Sequence, residues 1–285
     1  MVTPFTADGA LDLDSAQRLA EHLVDHGHDG LVINGTTGES ATTSDAEKER
    51  LVRAVVEAVG DRARIVAGAG SNDTHHTIEL ARAAEKAGAS ALLLVTPYYN
   101  KPPQEGLARH FEAAAEATGL PVMLYDIPGR TGTAIETETL LRLGGHERIL
   151  AVKDAKGDLF AGSEVMARTE LAFYSGDDAL NLAWLAHGGT GVVSVVGHVA
   201  GERYAAMVRA VDTGDLDSAV RLHRELIPVV QAVMTRRSQG AITAKAALHA
   251  FGVLPTRTTR APLIDATDAE AADLTAALRA GGVSW

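Results

Sequence analysis

Seven short runs of nearly unbroken apolar residues recur along the chain, at residues 31–34, 64–67, 91–95, 121–125, 149–153, 171–174 and 191–195. They do not alternate polar with apolar positions. Strands read that way when both faces are covered, as in a parallel sheet. Parallel neighbours cannot be joined by a tight turn and need a crossover of a dozen or more residues. The runs start roughly 19–33 residues apart, the length of a βα unit.

The segments between the runs carry helix signals. Ser44-Asp-Ala-Glu47 has the form of a capping box, and residues 15–26 repeat their apolar positions at helical spacing. Ala87-Gly88 and Thr118-Gly119 close helices before the next run. With a partial strand at residues 1–4, eight units fill about 210 residues, which predicts a closed (β/α)8 TIM barrel. The competing architecture is a doubly wound open sheet. That fold usually carries Gly-x-Gly-x-x-Gly after its first strand, and none stands there. Gly68-Ala-Gly70 lacks the third glycine and an acidic partner, so it reads as a tight turn.

Beyond the eighth unit the strand pattern stops. Residues 215–234, 239–251 and 268–280 read as helices, with Pro255 and Pro262 marking a loop between the last two. The expected organisation is a barrel catalytic domain at residues 1–213 and a C-terminal helical appendix at 214–285.

Composition removes whole classes of function. Hydrophobic residues at 46% and charged residues at 22% exclude a disordered chain. A formal net charge of -11 argues against sequence-independent nucleic-acid binding, which needs clustered Lys and Arg. The chain has no cysteine, which removes disulfides, thiolate metal sites and cysteine nucleophiles, and fits a cytoplasmic location. No apolar run reaches the roughly 18 residues of a membrane span, and Met1-Val-Thr-Pro-Phe5 has no signal-peptide character. No partnership with nucleic acid or membrane is expected.

In a barrel of this kind, chemistry sits where strands end and βα loops begin. Lys153 closes a run whose other four residues are apolar, in a chain with six lysines. Burial there disfavours the ammonium and leaves an amine able to attack a carbonyl. The alternative is a lysine whose stem lines the strand while its head reaches water. Gly35-Thr-Thr-Gly38 sets two hydroxyls between glycines ahead of a helix, either to hold an anion on backbone N–H groups or simply as a capped turn. Tyr99 and Tyr125, at two strand ends, are either proton relays or packing residues. Arg130 follows Pro128-Gly129 in a turn, placed to clamp a carboxylate or to make a surface pair. Of 11 histidines only His75 and His76 are adjacent, and neighbours on a helix point about 100 degrees apart, so no metal site is expected.

With these residues in place, the chain resembles the class I, pyruvate-dependent aldolase family of N-acetylneuraminate lyase. The resemblance spans nearly the whole chain. Its motifs are Gly35-Thr-Thr-Gly-Glu-Ser40, Val95-Thr-Pro-Tyr-Tyr99, Tyr125-Asp-Ile-Pro-Gly-Arg-Thr-Gly132, Val152-Lys-Asp154 and Ser175-Gly-Asp-Asp178. It implies that Lys153 forms a Schiff base with pyruvate and that Tyr125 shuttles protons. It implies that Thr36 links Tyr125 to Tyr99, a residue shared with a neighbouring subunit, and that Thr37 holds the pyruvate carboxylate. Val193 is implied to offer its carbonyl near Lys153, and Gly176 to line the pocket. Arg130, absent from the corresponding turn of the sugar-acid lyases, implies aspartate 4-semialdehyde as the second substrate, in lysine and diaminopimelate biosynthesis. A pyruvate aldolase or dehydratase acting on another aldehyde or sugar acid is the alternative. A catalytically retired barrel is a third reading, against which the intact set of Lys153, Tyr125, Thr36 and Tyr99 stands. No cofactor and a homotetramer built as a dimer of dimers complete what the resemblance implies.

Three departures stand out. Asp126 occupies a position where the family often has Asn. Met1 enters the first strand midway, which predicts either a less stable barrel seam or a start codon assigned too late. Lysine-sensitive members bind free lysine at a subunit interface with two histidines and a glutamate. The matching positions here are Asp45, Lys48 and His76, although Ser40, Ala41, Asn72 and Tyr98 are retained. Weak inhibition by lysine is the expectation.

Overall fold

A computed structural model of the chain describes residues 1–234 and 240–283. Seven strands form among the described residues: β1 (Gly30–Ile33), β2 (Arg64–Gly68), β3 (Ala91–Val95), β4 (Val122–Asp126), β5 (Ile149–Asp154), β6 (Ala172–Ser175) and β7 (Gly191–Val192). Their order in the sheet follows the chain from β1 to β7. The pairs from β2–β3 to β6–β7 are parallel. A doubly wound sheet reverses its strand order at a switch point. Here the order never reverses, and the fold is a (β/α)8 barrel with a C-terminal helical region.

The expected partial strand at residues 1–4 is bonded but not laddered. The Met1 amine donates to the Val32 carbonyl at 2.8 Å. Val2 is fully buried, and its N–H donates to Nε2 of His198 at 3.0 Å. A side chain takes the place of the carbonyl that a ladder needs, so no strand forms. The expected eighth run, residues 191–195, is likewise a strand only over Gly191–Val192.

Helix ends follow the sequence signals. Ser44 and Glu47 form the capping box of Asp45–Val59, and Asp73 caps Thr74–Lys86, the helix that His75 and His76 open. After the barrel come Leu216–Met234, Gly240–Ala250 and Asp268–Ala280. The expected start of the middle helix, Gln239, lies outside the described residues. Among the described residues no helix is long and apolar enough to cross a membrane.

The chain divides into two compact units, Met1–Ile65 with Ser194–Trp285, and Val66–Val193. The core of the first contains Leu19, Ile33, Val55 and Leu226. That of the second contains Leu92, Leu94, Leu124 and Val152, with Phe173 stacked on Trp184 at 5.4 Å between ring centroids.

Candidate active site

Within the second unit four residues share one register row. Val95 pairs with Tyr125, Tyr125 with Lys153, and Lys153 with Tyr174. Residues in register across parallel strands project to the same face. The Lys153 ammonium nitrogen accordingly lies 4.2 Å from the centroid of the Tyr125 ring. One extra residue in β5 sets this row. Val122 pairs with Ile149 but Met123 with Ala151, so Leu150 is skipped. Without that bulge Tyr125 would face Val152.

The surroundings of Lys153 are shaped to hold an amine. Its pKa is pushed down to about 8, first by burial and then by the Arg130 charge, while Asp178 pulls it up. Asp178 is itself buried and accepts from Nδ2 of Asn181 at 3.0 Å. A Cβ on residue 176 would stand 2.9 Å from Cε of Lys153 and 3.0 Å from the Asp154 carbonyl, so only glycine lets the lysine stem pass. The Tyr125 carbonyl is pinned by the N–H and hydroxyl of buried Thr96, at 3.0 and 3.1 Å. Among the described residues the Lys153 amine makes no hydrogen bond or ion pair.

Lys156 is differently placed. Its amine donates to the Ile135 carbonyl at 3.2 Å and faces the Asp126 carboxylate at 3.4 Å. Asp126 is fully buried, accepts the Ile135 N–H at 3.2 Å, and has a pKa raised to about 6, chiefly by burial. The Lys156 amine is thus taken up by two acceptors, whereas the Lys153 amine lies against the Tyr125 ring.

Arg130 sits exposed on the one-turn helix Pro128–Thr131, just beyond β4. The Val193 N–H donates to the Ser175 carbonyl at 2.7 Å, which fixes Val193 just past β7. Tyr99 is 90% exposed, with a left-handed φ of 74°. That is a costly conformation for a bulky residue. Thr36 and Thr37 stand on the turn after β1, in the first unit. The second unit therefore brings Lys153, Tyr125 and Gly176 together, with Arg130 close enough for its charge to act on the lysine. A partly neutral amine beside a phenol, near a guanidinium, can attack a carbonyl of an anionic substrate and exchange protons with it.

Residues 1–281 match the model of the dihydrodipicolinate synthetase family. The chain belongs to this family. A 4-hydroxy-tetrahydrodipicolinate synthase of Kineococcus radiotolerans is 64% identical over 284 residues, covering 100% of this chain and 92% of the relative. The solved dihydrodipicolinate synthase of Cyanidioschyzon merolae, with lysine bound, superimposes at a TM-score of 0.95 with 41% identity, covering 100% of this chain and 97% of that one. The chloride-inhibited enzyme of Acinetobacter baumannii, complexed with pyruvate, gives a TM-score of 0.94 with 35% identity and coverages of 100% and 97%.

For a member of the dihydrodipicolinate synthetase family, the sequence reading missed two features. One is the electrostatic role of Asp178, whose only signal was its place in a strand-end motif. The other is Lys245, which is 1% exposed in the helix Gly240–Ala250. Its signal, a lone cation inside an apolar run, is the same one that marked Lys153.

Proposed function

We infer that the chain is a 4-hydroxy-tetrahydrodipicolinate synthase that condenses pyruvate with L-aspartate 4-semialdehyde in lysine and diaminopimelate biosynthesis. One observation carries the chemistry: the Lys153 amine, with its pKa lowered to about 8, lies 4.2 Å from the centroid of the Tyr125 ring. The amine attacks the ketone carbon of pyruvate, and loss of water leaves an imine on Lys153. Withdrawal of a proton from the methyl carbon gives an enamine, which attacks the aldehyde carbon of the semialdehyde. Tyr125 is the group that relays protons to and from these centres, with Thr36 and Tyr99 completing its relay. Thr37 holds the pyruvate carboxylate, while Gly176 and the Val193 carbonyl line the lysine pocket.

Arg130 selects the second substrate by pairing with its carboxylate. No metal or organic cofactor takes part, because the imine is itself the electron sink. The barrel at residues 1–213 is the catalytic domain and residues 214–285 the helical region. A cytoplasmic homotetramer is the assembly that goes with this reading, and Tyr99, 90% exposed, supports a role at a subunit contact. The substrate assignment is tested by comparing kcat/KM for the semialdehyde with that for a panel of other aldehydes and sugar acids. A preference for the semialdehyde is expected, and a preference for a sugar acid overturns the assignment.

A further inference from the structure

We propose that Glu39 and Lys245 are positioning residues, whose buried ion pair holds the turn bearing Thr36 and Thr37 in the shape that receives the pyruvate carboxylate. The proposal rests on the reading that Thr37 binds that carboxylate. All the residues concerned belong to the first unit.

The turn is bounded by two non-glycine residues in left-handed conformation, Asn34 at φ 60° and Glu39 at φ 55°, and each is 4% exposed. Such backbone persists only where its surroundings over-determine it. The Glu39 carboxylate supplies two of the contacts that constrain it. One oxygen pairs with the Lys245 ammonium, and the other accepts the Arg260 N–H at 2.9 Å. Lys245 also donates to the Thr258 carbonyl at 2.7 Å and lies 4.2 Å from the centroid of the Phe5 ring. Arg260 continues the tie, with its guanidinium on both oxygens of Glu47 at 2.9 and 2.6 Å and on the Thr42 carbonyl at 2.9 Å. From the other side, the Thr3 hydroxyl donates to the Gly38 carbonyl at 2.5 Å.

A buried ion pair is a poor source of stability, because desolvation offsets the attraction, and apolar residues of similar volume serve stability as well. What the pair supplies is a single geometry. The carboxylate reaches from a strained turn to a cation fixed inside a helix, so the turn has one place to sit. A pair doing this work affects the substrate that the turn binds and leaves the other substrate alone.

The experiment compares the parent enzyme with Glu39→Asp, which keeps the charge but shortens the arm by one methylene, and with the double variant Glu39→Gln/Lys245→Met, which removes both charges. Each is assayed for Tm, for KM of both substrates, and for borohydride-trapped adduct as a function of pyruvate concentration. In folded variants the pyruvate KM and the half-saturation of trapping should rise about tenfold, as for loss of one charge-assisted contact. The semialdehyde KM should stay within about twofold. The split separates positioning from a general structural role, which would move Tm and both KM values together. A folded Glu39→Asp or double variant with the parental pyruvate KM overturns the proposal. A parent enzyme that traps no pyruvate overturns instead the functional reading on which it rests.

Discussion

The two lysines near the end of β5 show how neighbours decide chemistry. Lys153 and Lys156 are three positions apart, yet one meets an aromatic face and the other a carboxylate. The lowered pKa of Lys153, about 8, predicts that imine formation quickens as pH rises and levels off once the amine is neutral. Asp178 is the group that holds that pKa up. Asp178→Asn should therefore shift the profile to lower pH, by about one unit for loss of a close opposite charge. An unshifted profile contradicts the electrostatic assignment, and trapping rates measured between pH 6 and about 9 decide it.

Asp126 makes the opposite prediction, about stability. Its folded pKa, near 6, lies above the ordinary 3.8, so the folded chain holds the proton more tightly than the unfolded chain. Ionisation therefore costs stability progressively between those two values, and the full cost is present above them. Asp126→Asn keeps the acceptor for the Ile135 N–H, and Lys156 keeps the Ile135 carbonyl. The variant should be about 1–3 kcal/mol more stable than the parent at pH 7.5 and no more stable at pH 4. Denaturant unfolding at both pH values checks this, and an equal difference at both would refute it. Lys153 was legible because a cation closing an apolar strand is conspicuous in one dimension. The effect of Asp178 was not, because only the fold brings that residue, 25 positions further on, near the lysine.

At the scale of elements, the strands were legible because nearly all of their residues are buried or half-buried, which keeps the runs apolar almost throughout. Their ends were harder to place. The run at 191–195 breaks after Val192, where the Val193 N–H goes to the Ser175 carbonyl at 2.7 Å. The bulge at Leu150 left no mark either, since an apolar residue inside an apolar run signals nothing, although the register of Tyr125 with Lys153 depends on it. The turn after β4 carries Arg130, and its removal tests that element. Arg130→Ala should lower kcat/KM for the semialdehyde by a factor equivalent to about 2–4 kcal/mol while imine formation stays within about threefold. Parental kcat/KM would end the substrate assignment. The first turn of Asp45–Val59 makes a further prediction. The Lys48 ammonium donates to the Thr43 carbonyl at 2.5 Å and stands 3.6 Å from Asp45. The chain's own cation thus already satisfies the acceptors there, and free lysine should inhibit only above about 1 mM. Half-inhibition well below that concentration, with both substrates near their KM values, would show that a lysine site survives.

For the molecule as a whole, the strand order was legible because βα spacing permits few topologies, and the barrel is the one whose order never reverses. The site was legible only in its strand-end residues. The support of the Thr36–Thr37 turn was not, because Glu39 and Lys245 are 206 positions apart and meet only in the folded unit. All of the proposed chemistry nevertheless converges on one bond, between the Lys153 nitrogen and the ketone carbon of pyruvate. The most direct measurement is peptide mapping after incubation with pyruvate and borohydride. A single reduced adduct is expected on the peptide at Lys153, and it is lost in Lys153→Ala. An adduct on Lys156, or none on the parent enzyme, would overturn the assignment of Lys153.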